Sequence, residues 1–393
     1  MKKIYLIIAV LLSASVSYAG FGLGLTGAVK NKVKEIDQKK TEYNAAQITA
    51  TTRPFYMGFS VLMPYAMTNE AVTYMYDSVR AVSDLDYWHF DSGMPWPDTY
   101  TSSISITPRF QSEIDFKVSK RNAGSKLYLA VNAISSNRDG VALYEAQAGS
   151  NSALPAVWTG RDFDDPLVLQ VYLNYARYMI NKFNPDYFNF AIEVNSMAQP
   201  TKNPASFAKF VPFSAQVYST LKSEFPKVKI FMSFSNNEDT WTDIEEVKKL
   251  VPNSDLIGLS FYPYRDPALI SENLINQAAN LDRSKKIAFC EFGYTAQDFT
   301  IFSTPITGSD TWQRAFLERY MAVAQSMDCE FMCWFLHRDY DAVIQYFIDN
   351  SYPAGIIESA KAWEYSGLVD HDGRERPALE VWKSWLRRPV YKK

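Results

Sequence analysis

Cysteine and histidine are the scarce residues of this 393-residue chain, with three of each. Cys290, Cys329 and Cys333 are too few and too clustered for a disulfide framework. Cys329 and Cys333 lie too far apart on one extended strand to bond each other. Cys290 and Cys333 could be neighbours on adjacent strands, and buried free thiols are the simpler expectation. His89, His337 and His371 form no close pair and no HExxH spacing, which argues against a catalytic metal. No Gly-x-Ser-x-Gly elbow is present, so hydrolase chemistry of that type is not expected. A Gly-rich phosphate turn after the first apolar strand is missing too, since "FYMGFSVLMPY" offers none, and no cofactor is implied. Charge of one sign is not in excess either. The 43 acidic and 40 basic residues leave a net charge of −3, and nothing points to nucleic acid or an acidic membrane surface.

Apolar and aromatic residues are what the chain has in quantity. Hydrophobic residues make up 47% and aromatics 15%, enough for a large core and for flat amphipathic surfaces of the kind that stack on sugars. The N-terminus opens with "MKK", then "IYLIIAVLLSASVSYA", then a small-residue site at Ser17 and Ala19. This is the pattern of a secretory signal segment over 1–19. Its apolar part is short for a membrane span, so no stable span is expected after cleavage. The implied location is periplasmic or extracellular. Residues 20–52 begin Gly-rich, become charged and lack a wide apolar stripe, which predicts a flexible leader outside the main fold.

From Arg53 a regular alternation sets in. Short apolar or β-branched runs fall at 55–60, 86–90, 126–134, 187–194, 228–235, 255–262, 286–292 and 329–336, with helical periodicity between them. Thr68, Asp165 before Pro166, Asn203 before Pro204, and Asp310 are helix-start signals. Strands apolar on both faces and alternating with helices imply a parallel sheet covered by helices. Eight such units over 53–388 predict an α/β fold, a (β/α)8 TIM barrel in a single domain, with an open doubly wound sheet as the rival. Chemistry in such a barrel sits at the C-terminal ends of the strands.

Two carboxylates hold unusual positions there. Glu193 ends the fourth apolar run, "YFNFAIEV", and Glu291 ends the seventh, "KIAFCEF". No Lys or Arg stands beside either carboxylate in its run; Lys286 is at the opposite end of the seventh. Strands four and seven lie across a barrel mouth, and two facing carboxylates are what glycoside cleavage needs. One stays ionised and attacks the anomeric carbon while the other protonates the leaving oxygen.

These residues carry a resemblance. "IAFCEFGY" resembles the nucleophile strand of clan A glycoside hydrolases, and "LIGLSFYPY" resembles the sixth strand of the endo-β-1,4-galactanases of glycoside hydrolase family 53. "CWFLHRDYD" is similar to the clan's eighth strand, and "YSGLVDHDGRERPALEVWKSWL" to its last turn and helix, so the likeness runs from about Pro54 to Leu386. The resemblance implies a retaining glycosidase with Glu291 as nucleophile, Glu193 as acid/base and Trp334 as the floor of a sugar subsite. The clan places an Asn before its acid/base Glu, to bind the sugar 2-hydroxyl. Ile192 holds that position here. Asn195 would share the side of Glu193 if the strand stayed extended, and could supply the missing amide; alternatively the strand carries a bulge.

Other strand-end residues complete the expected cleft: His89, Asp91, Trp96 and Asp98 after the second run, Asn132 after the third, Tyr262 after the sixth, and His337 and Asp339 after Trp334. The Tyr262 hydroxyl is placed to hold the Glu291 carboxylate ionised and oriented. The expected substrate is a poly- or oligosaccharide. A barrel that binds sugar without cleaving it, and a barrel enzyme acting on a non-sugar substrate, are the alternatives.

Overall fold

A computed structural model describes residues 50–101, 104–235, 243–264 and 272–391. The expected signal segment and almost all of the leader lie outside the described residues. In chain order the elements begin β1 (Tyr56–Phe59), α1 (Asn69–Ala81), β2 (Leu85–Phe90), α2 (Pro108–Ser119), β3 (Lys126–Val131), α3 (Pro166–Phe183) and β4 (Tyr187–Asn189). They continue with α4 (Pro204–Glu224), β5 (Lys229–Ser235), α5 (Ile244–Leu250), β6 (Leu256–Phe261), α6 (Glu272–Leu281) and β7 (Lys286–Phe292). A small hairpin, β8 (Phe299–Ile301) and β9 (Thr304–Ile306), precedes α7 (Asp310–Ser326) and β10 (Phe331–Trp334). The chain then runs through α8 (Asp341–Asp349), α9 (Ala354–Lys361) and α10 (Pro377–Leu386).

Helices begin where side chains can satisfy the first free backbone N–H groups. Thr68 accepts from the Ala71 N–H at 3.1 Å, Asp165 from Leu167 at 2.8 Å and Asn203 from Ser206 at 3.1 Å. In α7 the cap is Ser309, which accepts from Trp312 at 3.1 Å; Asp310 is the first helical residue rather than the cap. Pro212 lies inside α4, where it removes one helical hydrogen bond. The helix persists because Phe207, Phe210 and Phe213 are buried along it. Among the described residues no helix is long and apolar enough to cross a membrane.

Eight strands, β1 to β7 and β10, make one sheet, and the described chain falls into two compact units. The first holds β2, β3, β4 and β5 side by side in chain order, all parallel, with Tyr87 level with Tyr128, Tyr128 with Tyr187, and Tyr187 with Lys229. Helices close over this part through aromatic contacts. Phe183 of α3 packs on Trp88 and Phe90, and Phe163 packs on Phe210 and Phe213 of α4.

In the second unit β10 lies between β1 and β7, parallel to both. The last helix covers the first strand, with Trp382 against Phe59 at 4.6 Å and Trp385 against Phe55 at 5.7 Å. Each such fully buried aromatic contributes about 1.5–3 kcal/mol relative to exposure. Arg53 clasps the two ends of the folded chain. Its backbone N–H donates to Pro389, its carbonyl accepts from Tyr391, and its guanidinium reaches Arg388 O and the Asp84 carboxylate.

Candidate active site

The strand carrying Glu193 stops sooner than its apolar pattern predicts. β4 ends at Asn189, and Glu193 stands in the left-handed region (φ 52°) as the residue before a short 3₁₀ turn, Val194–Ala198. A non-glycine residue in that region costs about 1–2 kcal/mol, and the neighbourhood holds it there. Asn132 accepts from the Ile192 N–H at 3.1 Å, and the Ser233 hydroxyl from the Glu193 N–H at 3.3 Å.

Asn195 is therefore not on the side of Glu193. Its amide is taken up by Ser235 O at 2.9 Å and the Asp243 carboxylate at 2.8 Å, and its carbonyl accepts from the Ser235 N–H at 2.9 Å. The expectation that it supplies the sugar-binding amide rested on an extended strand. The 3₁₀ turn instead buries Asn195 as a tie between β4 and β5.

Glu193 also has a cation nearby, supplied by a loop rather than by its own strand. Arg138 follows β3, is buried, and adopts φ 56°. Its guanidinium makes two bonds to Asp91, at 2.9 and 3.1 Å, and stands 3.7 Å from the Glu193 carboxylate. Asn132 donates to the same Asp91 carboxylate. Burial pushes the Asp91 pKa up, while Arg138 pulls against that shift. Asp91, Asn132, Arg138 and Glu193 thus form one contiguous group.

Behind them runs a buried chain of polar side chains. His89 lies between the hydroxyls of Tyr87 (3.1 Å) and Tyr128 (3.3 Å), and Asn189 donates to Tyr128 and to Ser233. Burial, aided by Arg138 and Lys117, holds the His89 pKa well below the usual value, so the ring is neutral. His89 thus belongs to the interior of the sheet. Trp96 is buried too, its indole N–H donating to Ala142 O at 2.8 Å and its ring stacked on Trp158 at 5.3 Å. Asp98 accepts a long bond from Tyr144 at 3.5 Å, and burial raises its pKa.

In the second unit Glu291 ends β7 and is 8% exposed. The Tyr262 hydroxyl donates to its Oε2 at 2.9 Å, a charge-assisted bond when the carboxylate is ionised. Around Tyr262 stand Phe335 at 5.8 Å, Tyr264 at 5.9 Å and Trp363 at 6.5 Å, with Phe335 and Trp363 5.1 Å apart. The register slips beside Glu291: Met332 is level with Phe289 but Trp334 with Phe292. Cys290 and Glu291 together oppose Cys333, so simple alternation does not put Cys290 behind Glu291. Burial and the charges of Cys290 and Glu291 push the Cys333 thiol well above its usual pKa. All three cysteines are buried free thiols.

Trp334 does not floor a subsite. It is fully buried against Phe292 at 5.0 Å and Phe316 of α7 at 6.0 Å, with its indole N–H donating to Ser366 O. The strand turns this ring toward the helix layer and leaves Phe335 as the neighbour of Tyr262. Asp339 is equally enclosed. It pairs with Arg376 at 2.5 Å and accepts from the Gly367 N–H at 2.9 Å, while burial raises its pKa to about 7. A Cβ at position 367 would come within 2.6 Å of the Asp339 carboxylate, so only glycine fits there. His337 packs edge-on to Phe59 at 5.3 Å, and burial lowers its pKa to about 4. Asp339 and His337 are therefore packing residues of the second unit.

Arg138, Ser233 and Trp363 were not singled out by the sequence. A serine inside the apolar run "KIFMSFS" was the one available signal, because a buried hydroxyl needs a partner. Arg138 and Trp363 come from loop and helix-end segments whose paths no periodicity reports.

No family model matches the chain, and no curated protein matches it. Solved structures do. An exo-β-1,4-mannosidase from Opitutaceae bacterium strain TAV5 aligns with TM-score 0.57 at 14% identity, over 86% of this chain and 59% of the mannosidase. Xylanase 10B from Thermotoga maritima aligns with TM-score 0.55 at 14% identity, over 88% of this chain and 97% of the xylanase. A GH5_18 protein from Bifidobacterium longum subsp. longum, in complex with Manb1-4GlcNAc, gives TM-score 0.56 at 13% identity, over 82% and 75%. The chain spans little more than half the length of the mannosidase. At these identities the likeness is one of fold: a parallel eight-stranded (β/α)8 barrel.

Proposed function

We propose that the protein is a glycoside hydrolase that cleaves O-glycosidic bonds of a poly- or oligosaccharide with retention. The observation that carries this reading is the Glu291 carboxylate at the end of β7, gripped by the Tyr262 hydroxyl in a mostly aromatic surround. That is a suitable setting for a nucleophile: the hydrogen bond favours the ionised, oriented carboxylate, and near-total burial keeps it poorly hydrated. The fold shared with a mannosidase and a xylanase supports the same chemistry.

In the proposed reaction Glu291 attacks the anomeric carbon as the bond to the leaving oxygen breaks, and Glu193 delivers its proton to that oxygen. Glu193, now ionised, takes a proton from water, whose oxygen displaces Glu291 and releases the sugar with its configuration retained. Retention requires the two carboxyl groups to act about 5–5.5 Å apart. We also propose export through the 1–19 segment, which N-terminal sequencing of the mature protein would test by finding Gly20 first.

A sugar-binding barrel without catalysis is the second reading. Arg138 beside Glu193 favours it by working against a proton donor there, and Ile192 where the clan has Asn favours it by removing the contact that the clan makes to the sugar 2-hydroxyl during cleavage. Incubation with a panel of 2-deoxy-2-fluoroglycosides, followed by peptide mass spectrometry, separates the two. A glycosyl adduct on Glu291 is the expected result. If no adduct forms and Glu291→Gln matches wild type on every glycan that binds, the glycosidase reading fails.

A further inference from the structure

The group around Arg138 has a division of charge that bears on Glu193. Arg138 is buried, and its guanidinium is held by Asp91 and by Ser135 O at 3.2 Å, so it has little freedom to retreat. It offers two bonds to Asp91, at 2.9 and 3.1 Å, and stands at 3.7 Å from Glu193, beyond hydrogen-bond length. Asn132 steadies this asymmetry by donating to the Asp91 carboxylate while its carbonyl holds the Ile192 N–H. An unshared arginine this close would strongly favour the ionised form of Glu193, the wrong form for a proton donor.

We propose that Asp91 is a positioning residue that acts on Glu193 through Arg138: by engaging the guanidinium, it leaves Glu193 able to carry a proton. The proposal rests on the reading of Glu193 as the acid/base. Asp91 touches no reacting atom in this scheme. Its negative charge offsets that of Arg138, and its two hydrogen bonds hold the guanidinium back from closing on Glu193. Lys202, which anchors to Asn137 O at 2.9 Å, also senses the Glu193 charge, and Asp139 acts on Lys202 in turn. His89, further in, is neutral and adds no charge of its own.

Two substitutions should act in opposite directions. Asp91→Asn keeps the size of the side chain but removes the charge opposing Arg138, so the Glu193 carboxyl should titrate about one unit lower than in wild type. Arg138→Gln removes the cation, and Glu193 should titrate about one unit higher. Arg138→Lys keeps a cation and should stay nearer wild type than Arg138→Gln. General disorder in the loop would move both charge-removal variants the same way.

The measurement is a carbon-13 NMR pH titration of the full chain labelled at glutamate carboxyls, with the Glu193 signal identified by its loss in Glu193→Gln. Opposite displacements support the proposal. Equal displacements, or both midpoints within a few tenths of wild type, overturn it. Should Arg138→Gln fail to fold, Asp91→Asn and Arg138→Lys decide it, since only Asp91→Asn should lower the midpoint by about a unit. The titration needs no substrate. Failure of the protein to hydrolyse any glycan would therefore count against the glycosidase reading and leave this coupling to be judged separately.

Discussion

Glu193, in the turn that follows β4, and Glu291, at the end of β7, are the same residue type, yet their surroundings differ in kind. Glu193 sits in a network of charges and polar side chains, on a left-handed backbone, next to an arginine that it shares with Asp91. Glu291 sits among aromatic rings and thiols, on a strand with a register slip, and accepts from the Tyr262 hydroxyl. The first environment can tune whether a proton is present. The second can fix where a charge points. That contrast is what a reaction with one proton carrier and one nucleophile requires.

The sharpest way to break the comparison is to neutralise each carboxylate in turn. Glu291→Gln should lower kcat by at least about a thousand-fold on every substrate, since the covalent step disappears. Glu193→Gln should lower it by about 10²–10⁴ on natural glycosides, and far less on aryl glycosides whose leaving group needs no proton. Steady-state rates on both substrate types check this. Equal losses from Glu193→Gln on the two types would erase the distinction.

A smaller effect is expected from Tyr262→Phe. Losing a hydrogen bond to a charged group, worth about 1.5–3 kcal/mol, predicts a fall in kcat/KM of roughly ten- to a hundred-fold. The stability of the fold should change little, as chemical denaturation would show.

The two units also treat their buried histidines differently, and acid should reveal it. His89 has tyrosine hydroxyls at both ring nitrogens, whereas Nδ1 of His337 has no hydrogen-bond partner among the described residues. The His337 pKa is lowered to about 4 in the folded chain, against about 6.5 when unfolded. The folded state therefore binds the proton later than the unfolded state. Stability from this residue is complete above pH 6.5 and is lost as pH falls toward 4. Between pH 7 and 5 the loss is about 2 kcal/mol. His337→Phe should remove that part of the slope, read from urea midpoints at the two pH values.

The smallest effect should come from Asn195. With its amide committed to Ser235 and Asp243, Asn195→Ala should cost about 1 kcal/mol of stability. It should leave KM for the hydrolysed glycan unchanged. A raised KM with normal stability would return Asn195 to the substrate.

The barrel was legible because its signal is local and repeated. Each apolar run recurs as a strand, and β7 has the boundaries expected of it, 286–292. Helix starts at Thr68, Asp165 and Asn203 were equally readable, because a cap is a matter of neighbouring residues. The misreadings have a common origin. The run 187–194 looked like one strand, but three-dimensional ties from Asn132 and Ser233 turn the chain at Glu193, and no residue pattern within the run announces that. Trp334 was read as a platform from the likeness of "CWFLHRDYD" to the clan's eighth strand, and a likeness of residues does not report the register slip beside it. Arg138 went unread for the plainest reason: it lies in a loop, and its partner Asp91 is 47 residues away. Periodicity encodes faces of elements, not the meeting points of loops.

Arg53 bears on how the chain can be rewired. By joining Pro389, Tyr391, Arg388 and Asp84 to the start of β1, it brings the two ends of the described chain into one patch beside the N-terminal end of that strand. Topologically the folded chain is nearly a ring. A short linker from about residue 391 back to 53 should close it, and new ends could be opened at the exposed turn of the small hairpin, Phe302–Ser303. Cargo joined directly at residue 53 or 391 would leave from that patch, away from the strand ends that carry Tyr262 and Glu291.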